Sequence, residues 1–269
     1  MNLIEQNVQN ITQTDFSYVG IMKFVEKVGR ICTNSNHRIT EDSWRDFVEK
    51  LRKNKHYSVF GHATMHLKVD KNSEVMNILL NEYRQPNGTE MRMLCQFNRY
   101  DPQYAYWSIS MRVFVEHITD TEIQKKIFGC LDKKPNYFYA KRPSLWISTA
   151  IATTRELNRH GWDLDIMEQS TRYVIVGDVS KKARWDTYSD EVQIEFTKAY
   201  EDGFKHYNNL LDLKVDRQDA RGVLPLDTAT EVIYTAFDYQ WEDVIAKRTT
   251  SGVHPDCRQL VEMAREELK

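Results

Sequence analysis

The chain is poor in cysteine. Cys32, Cys95, Cys130 and Cys257 are scattered through 269 residues without a Cys-x-x-Cys pair. That spacing argues against a structural zinc site or a disulfide framework, and it fits a reducing cytosol. An excess of charge of one sign is also missing. Lys and Arg number 37 against 39 Asp and Glu, a net charge of −2 that gives no reason to expect nucleic acid or a membrane surface as partner. The longest apolar runs fall far short of a bilayer span. The opening residues Met1 to Gln6 show no basic region followed by a hydrophobic core, so no signal peptide and a cytoplasmic location are expected. Ten glycines and six prolines mark no low-complexity linker, and no internal repeat is visible. At 41% hydrophobic, a chain of this length can bury a sizeable core. One domain of α+β class, a mixed sheet flanked by helices, is the expected architecture.

Periodicity places the elements. Tyr18, Val19, Ile21, Met22, Phe24, Val25, Val28 and Ile31 recur at helical spacing, which predicts an amphipathic helix from about Ser17 to Cys32. Thr40-Glu41-Asp42-Ser43 ahead of Trp44, Phe47, Val48 and Leu51 predicts a capped second helix. Met65, Leu67 and Val69 alternate with His66 and Lys68, as in a half-buried strand. Met91 to Phe97 and Tyr104 to Val115 are further strand candidates. Ser189 to Leu213 and Thr228 to Lys247 read as long helices, and about Asp256 to Leu268 as a short closing one.

The densest chemistry lies in Arg155-Glu156-Leu157-Asn158-Arg159-His160 and Glu168-Gln169-Ser170-Thr171-Arg172-Tyr173. Leu145, Trp146, Ile147, Ala150 and Ile151 upstream read as the buried start of a helix carrying the first run. Arg155 and Arg159 are then one turn apart on one face. Two forked guanidiniums near Ser170 and Arg172 would receive phosphate oxygens well. The plain alternative is an exposed helix laced with Arg–Glu pairs. His62 and His66 stand four apart, but a metal would need a third ligand and none is evident, so no metal is expected.

Arg159-His160 with Glu168-x-Ser170-x-Arg172-Tyr173 resembles the signature of the flavin-dependent thymidylate synthases, an Arg-His-Arg, a short loop and Glu-x-Ser-x-Arg-Tyr. His56-Tyr57-Ser58-Val59-Phe60-Gly61-His62-Ala63-Thr64 is similar to that family's His-x-Ser-(Pro/Val)-(Phe/Leu)-Glu-His segment. Ala220-Arg221-Gly222-Val223-Leu224-Pro225 resembles its Ala-Arg-x-Val-Leu-Pro run. Arg248 follows at the family's spacing, and Arg30-x-Cys32 is similar to an early Arg-x-Cys. Four matches in the right order cover most of the chain.

The resemblance implies one such domain over residues 1–269, with an insert at about 70–144, in which Trp107 to Arg112 resembles a segment some relatives carry. It implies reductive methylation of deoxyuridylate at C5 to thymidylate, with FAD as cofactor and methylenetetrahydrofolate and NADPH as co-substrates. Glu156, Glu168, Ser170, Arg172, Arg221 and Arg248 would hold the nucleotide, and Arg248 would be catalytic. His62, Thr64, Arg159, His160 and Asp243 would contact the flavin. No cysteine lies in a motif suited to attack on C6, in keeping with a family that uses no enzyme nucleophile. Homotetramers whose sites draw on several subunits are also implied, and Trp162, Trp185, Tyr188, Tyr239 and Trp241 would suit a buried interface, or simply fill the core.

The departures are specific. Gly61 replaces the glutamate before His62, Gly161 replaces the last arginine of Arg-His-Arg, and the loop to Glu168 is one residue longer. Met167 stands where a polar residue is usual. Phe237 and Asp243 stand where many members have asparagines, and Val253 to Cys257 replace the usual Ala-Gln-x-Glu-Ile. They leave open two other readings: C5 methylation or hydroxymethylation of another pyrimidine nucleotide such as a cytidylate or a ribonucleotide, or a nucleotide-binding homologue without flavin chemistry.

Overall fold

The computed structural model describes residues 2–84 and 94–269. In chain order the elements are β1 (Asn2–Ile4), β2 (Asn7–Asn10), α1 (Tyr18–Cys32), α2 (Trp44–Lys53), β3 (Thr64–Asp70), α3 (Glu74–Arg84), β4 (Cys95–Asn98) and β5 (Tyr104–Ser110). There follow α4 (Val113–Glu116), α5 (Thr121–Phe128), β6 (Ser144–Ala150), α6 (Ile151–Leu157), β7 (Asp165–Glu168) and β8 (Asp178–Ser180). The last are α7 (Asp190–Asp212), α8 (Arg217–Ala220), β9 (Ala229–Thr235), α9 (Asp238–Arg248) and α10 (Pro255–Glu267). The α+β class is as expected.

A four-stranded sheet in the order β2-β6-β9-β7, antiparallel throughout, carries the candidate site. Its two faces separate by the strand period of two. Leu145 and Ile147 of β6, opposite Tyr234 and Val232 of β9, pack with Trp241, Val244, Leu260 and Val261 of α9 and α10. Trp146 and Ile233 turn the other way, into a cluster with Met22, Val25 and Val28 of α1. That same cluster takes in Met65, Leu67, Trp107 and Ile109 from a second sheet, in the order β3-β5-β4. The stretch expected as an insert therefore shares a core with the four-stranded sheet. A parallel pair of short strands, β1 with β8, ties the N-terminal segment to the middle of the chain.

Helices with one apolar stripe fall where the periodicity puts them. Ser17 caps α1 by accepting from the Gly20 amide at 3.0 Å, while α7 and α10 match their expected spans within a residue or two. Strands buried on both faces do not. Leu145 to Ala150, expected as the start of a helix, forms β6, and the helix begins only at Ile151. The single helix expected over Thr228 to Lys247 is a strand, β9, followed by α9. In both, adjacent apolar residues (Leu145-Trp146-Ile147 and Val232-Ile233-Tyr234) pack on opposite faces, so the two-residue alternation is lost and the stretch reads as helix. Strand β3 is buried on both faces save at Lys68 and Asp70, and β5 stops at Ser110 before a helical turn. Met91 lies outside the described residues, and the strand there begins at Cys95. The expected cap on α2 also differs: the Ser43 hydroxyl bonds the Thr40 backbone instead of a helix amide.

Of the five aromatics expected to suit an interface, Trp185 and Trp241 are core residues. Tyr188 is half-buried, and Trp162 and Tyr239 remain exposed. No helix among the described residues is long and apolar enough to cross a membrane.

Candidate functional site

Helix α6 runs directly on from β6, so its side chains are aimed by a fixed strand. Residues two apart on a helix differ by about 200°, so Thr154 and Glu156 of α6 face different ways, and Asn158 and His160 in the 3-10 turn that follows extend the two polar clusters they begin. On one side Thr154 Oγ1 donates to Glu168 Oε1 at 2.8 Å, and Asn158 Nδ2 donates to Glu168 Oε2 at 3.3 Å. Tyr234 Oη donates to Asn158 Oδ1 at 2.8 Å, which fixes the amide's orientation. On the other side Arg248 Nε donates to His160 Nε2 at 2.8 Å, and Arg248 Nη1 donates to Glu156 Oε2 at 3.1 Å.

The His160–Arg248 bond is consistent only with a neutral imidazole. Burial, followed by the charges of Arg248 and Lys247, lowers the pKa of His160 from its ordinary value. Arg248 is thereby held by two bonds with its side chain only 14% exposed, and its Nη2 has no protein partner among the described residues. A guanidinium clamped in this way can present its remaining N–H groups without losing side-chain freedom on binding. Arg159 is exposed and only loosely paired with Glu156, at 3.6 Å. Asp243 is tied to Lys247 one turn along α9, so neither it nor Glu231 pairs with Arg248 or Arg221 as an ordinary surface ion pair would. Glu231 instead accepts from Trp146 Nε1 and Ser148 Oγ across the sheet.

Beyond Glu168 the chain makes a tight loop. Ser170 O accepts from the Tyr173 and Val174 amides, and Ser170 Oγ accepts from the Arg172 amide at 3.3 Å. Three arginines surround it. Arg221 Nη1 donates to Thr171 Oγ1 at 3.0 Å, Arg172 Nη2 donates to Gln218 Oε1 at 3.3 Å, and Arg217 Nη1 donates to Tyr173 O at 2.9 Å. Arg172, Arg217 and Arg221 lie at the exposed surface. Arg217 carries no signal in the sequence motifs; only the contact 44 residues away reveals it. Thr154, Asn158 and Tyr234 were likewise not legible as partners of Glu168.

The structure thus brings Glu168, Ser170, Arg172 and Arg221 together, and separately brings Glu156, Arg159, His160, Arg248 and Asp243 together. His62 belongs to neither group. It is fully buried, with Nδ1 2.8 Å from Thr235 Oγ1, and burial with the Arg142 charge lowers its pKa to about 3. Its Nε2 is buried without a partner among the described residues. Thr64 is buried too, and its Oγ1 accepts from Arg142 Nη1 at 3.4 Å.

Two cavities flank this region. The larger, about 910 Å³, is lined by Thr64, His66, Tyr139, Arg142 and Trp241 among others. The smaller, about 410 Å³, is lined by Arg112, Arg159, Trp162, Asp163 and Asp165 among others. Ligating atoms of His160, Asp163 and Asp243 lie within 4.8 Å of one another. His160 Nε2 already accepts from Arg248, however, and Lys247 adds a second cation beside it, so this trio is an ion-pair network and a poor host for a dication.

The thiols are unsuited to attack. Burial pushes Cys95 up to about 12 and Cys257 up to about 11, and raises Cys32 and Cys130 as well.

Two departures from the family pattern have opposite structural causes. A Cβ at Gly161 would meet nothing nearer than Asn158 O at 3.4 Å, so the backbone does not require glycine there. A Cβ at Gly61 would collide with the Asp165 carboxylate. Phe237 is a fully buried core residue, its ring beside Tyr239 and under the Arg142 guanidinium.

Residues 144–269 match the family model described as thymidylate synthase complementing protein. No curated protein matches the chain by sequence. Among solved structures the chain is similar to a UMP/dUMP methylase, PolB, from Streptomyces cacaoi bound with 5-Br dUMP. The identity is 17%, the match covers 100% of this chain and 92% of that one, and the TM-score is 0.47. The same methylase bound with 5-Br UMP matches at 16% identity, over 100% of this chain and 91% of that one, with a TM-score of 0.46.

Proposed function

We propose, from the match of residues 144–269 to the family model described as thymidylate synthase complementing protein, that the chain is a divergent member of that family and methylates a pyrimidine nucleotide at C5. In its specific form the proposal is flavin-dependent synthesis of thymidylate from deoxyuridylate, with methylenetetrahydrofolate as carbon source and NADPH as reductant. The observation that carries it is the Ser170 loop with Arg172, Arg217 and Arg221 around it. Three guanidiniums at one exposed turn form a receptor for a dianionic phosphate, because charge-assisted hydrogen bonds are about twice as strong as neutral ones.

The residues fit a flavin cofactor in part. Arg159 has donors available for a diphosphate, and His62 Nε2 is an unsatisfied polar atom next to the buried Thr64 and Arg142. Arg159, His160, Thr64, His62 and Asp243 are the residues that would hold it. A bound reduced flavin would supply the reducing equivalents. The chain's own task is to bind and orient the nucleotide and to stabilise charge. Arg248 Nη2, placed beside a pyrimidine carbonyl, would favour negative charge spreading into the ring and so make C5 nucleophilic.

The two clusters on opposite sides of α6 support a composite site. If one pyrimidine nucleotide is to reach both the Ser170 loop and Arg248, a second copy of the chain must complete the site, in keeping with a homotetramer. Light scattering at micromolar concentration should therefore give a mass that is a multiple of 31.9 kDa; a monomer would count against both the composite site and the reaction.

Two measurements test the function itself. The purified protein should bind FAD, seen as a shift in flavin absorbance, and should bind deoxyuridylate more tightly than deoxyuridine, with inorganic phosphate competing. Ser170→Ala should weaken the nucleotide by about 0.5–1.5 kcal/mol, the worth of one hydrogen bond, while turnover at saturation is largely kept. Loss of all turnover in Ser170→Ala at saturating nucleotide would point to a serine nucleophile instead.

A further inference from the structure

Arg142 and Asp165 form a buried ion pair on which none of the sequence motifs falls. Arg142 stands just ahead of β6, and Asp165 opens β7. Their side chains are 2% and 11% exposed. Arg142 lines the larger cavity beside Thr64, and Asp165 lines the smaller one beside Arg159. The pair thus stands in the wall between the two cavities. Thr64 and Arg159, both assigned to the cofactor above, lie on either side of it. Arg142 is bonded to Thr64 itself and lies close enough to His62 to depress its basicity.

The carboxylate can stand there only because residue 61 has no side chain. A Cβ at Gly61 would overlap Asp165 Oδ1 and come within 2.9 Å of its Cγ. Gly61 therefore needs to be glycine for space. The backbone has no positive φ at this residue, so conformational freedom is not the reason. One small volume can hold a carboxylate reached from β7 or a side chain reached from residue 61, but not both.

We infer that Arg142 and Asp165 are the positioning residues of the cofactor pocket, and that Gly61 is glycine to admit the Asp165 carboxylate against Arg142. Asp165 fixes the Arg142 guanidinium, and Arg142 in turn fixes Thr64 and the rim of the larger cavity. This rests on the cofactor reading above. A buried guanidinium that loses its paired carboxylate must find water or another anion, and the wall it forms moves with it.

The test uses the 269-residue chain and two readouts, thermal melting and FAD affinity by fluorescence titration. Asp165→Ala should lower the melting temperature and weaken FAD by about tenfold or more, the scale of one hydrogen bond to a charged group. Gly61→Asp alone should also melt lower, from overlap with Asp165. The double variant Gly61→Asp/Asp165→Ala moves the carboxylate from one strand to the other side of the same space, and should recover both melting and FAD affinity. Recovery of both supports the inference. A double variant no better than Asp165→Ala overturns the shared-space account. An Asp165→Ala protein that folds and binds FAD as tightly as wild type overturns the positioning role alone. Wild-type protein that binds no FAD at all overturns the cofactor reading and the inference with it.

Discussion

Arg248→Ala should lower turnover by about a hundredfold or more, the scale seen when a group that stabilises developing charge is removed. The structure explains why the effect should be large and hard to rescue. Arg248 uses Nε on His160 and Nη1 on Glu156, and it still has Nη2 to offer to a ligand. Arg248→Lys has a single ammonium group in place of that planar fork, so it can satisfy the two fixed partners or the ligand, but not all three in the same plane. It should recover little activity. Glu156 is partly exposed on this side and His160 is neutral, so no buried charge is left unpaired and the variant should still fold. FAD affinity should change by no more than a few-fold, through the loosened His160 ring. Steady-state kinetics at saturating nucleotide, with melting curves as the check on folding, decides it. Near-normal turnover in folded Arg248→Ala would remove this residue from the chemistry.

Trp107→Ala should destabilise the protein by about 3–5 kcal/mol, the range for deleting a large buried aromatic side chain. Trp107 is fully buried, stacked on Phe97 with centroids 4.2 Å apart, and edge-on to Tyr83 at 6.1 Å. It lies within the stretch expected to be an insert, yet its cluster reaches Val25 of α1 and Ile233 of the four-stranded sheet. The loss should therefore appear in the main cooperative transition. Trp107→Phe should cost much less, since the indole N–H it removes has no hydrogen-bond partner among the described residues. Denaturant titration of the two variants measures both. A Trp107→Ala loss below about 1 kcal/mol would mean that residues 70–144 form an appendage and not part of one core.

What the sequence displays depends on how many sides of an element meet solvent. Helices α1 and α10 each show one apolar stripe, so the 3.6-residue period locates them. Strands β6 and β9 are packed on both faces, with Leu145 and Ile147 against α9 and α10 and Trp146 and Ile233 against α1. Their alternation disappears, and the sequence pattern of both reads as helix. The site divides along a similar line. Glu168, Ser170, Arg172 and Arg221 were legible because they keep a family's order and spacing, and the structure places them around one loop. Arg217 and the Arg142–Asp165 pair carry no local pattern, because their partners lie 44 and 23 residues away. His62 shows the reverse: its motif is clear, but its deep burial against Thr235 comes from the packing of β9 beside the turn that carries it. Gly61 was visible as a departure, and only the position of Asp165 gives the reason.

The central claim is methylation of a pyrimidine nucleotide at C5, and product analysis tests it most directly. Wild-type protein would be incubated with FAD, NADPH and methylenetetrahydrofolate, and separately with deoxyuridylate, uridylate and deoxycytidylate, and the nucleotides examined by mass spectrometry. The account predicts a C5-methylated product, thymidylate from deoxyuridylate in its specific form, that requires FAD and is nearly absent with Arg248→Ala. Folded, FAD-bound protein that alkylates none of the three nucleotides would contradict it.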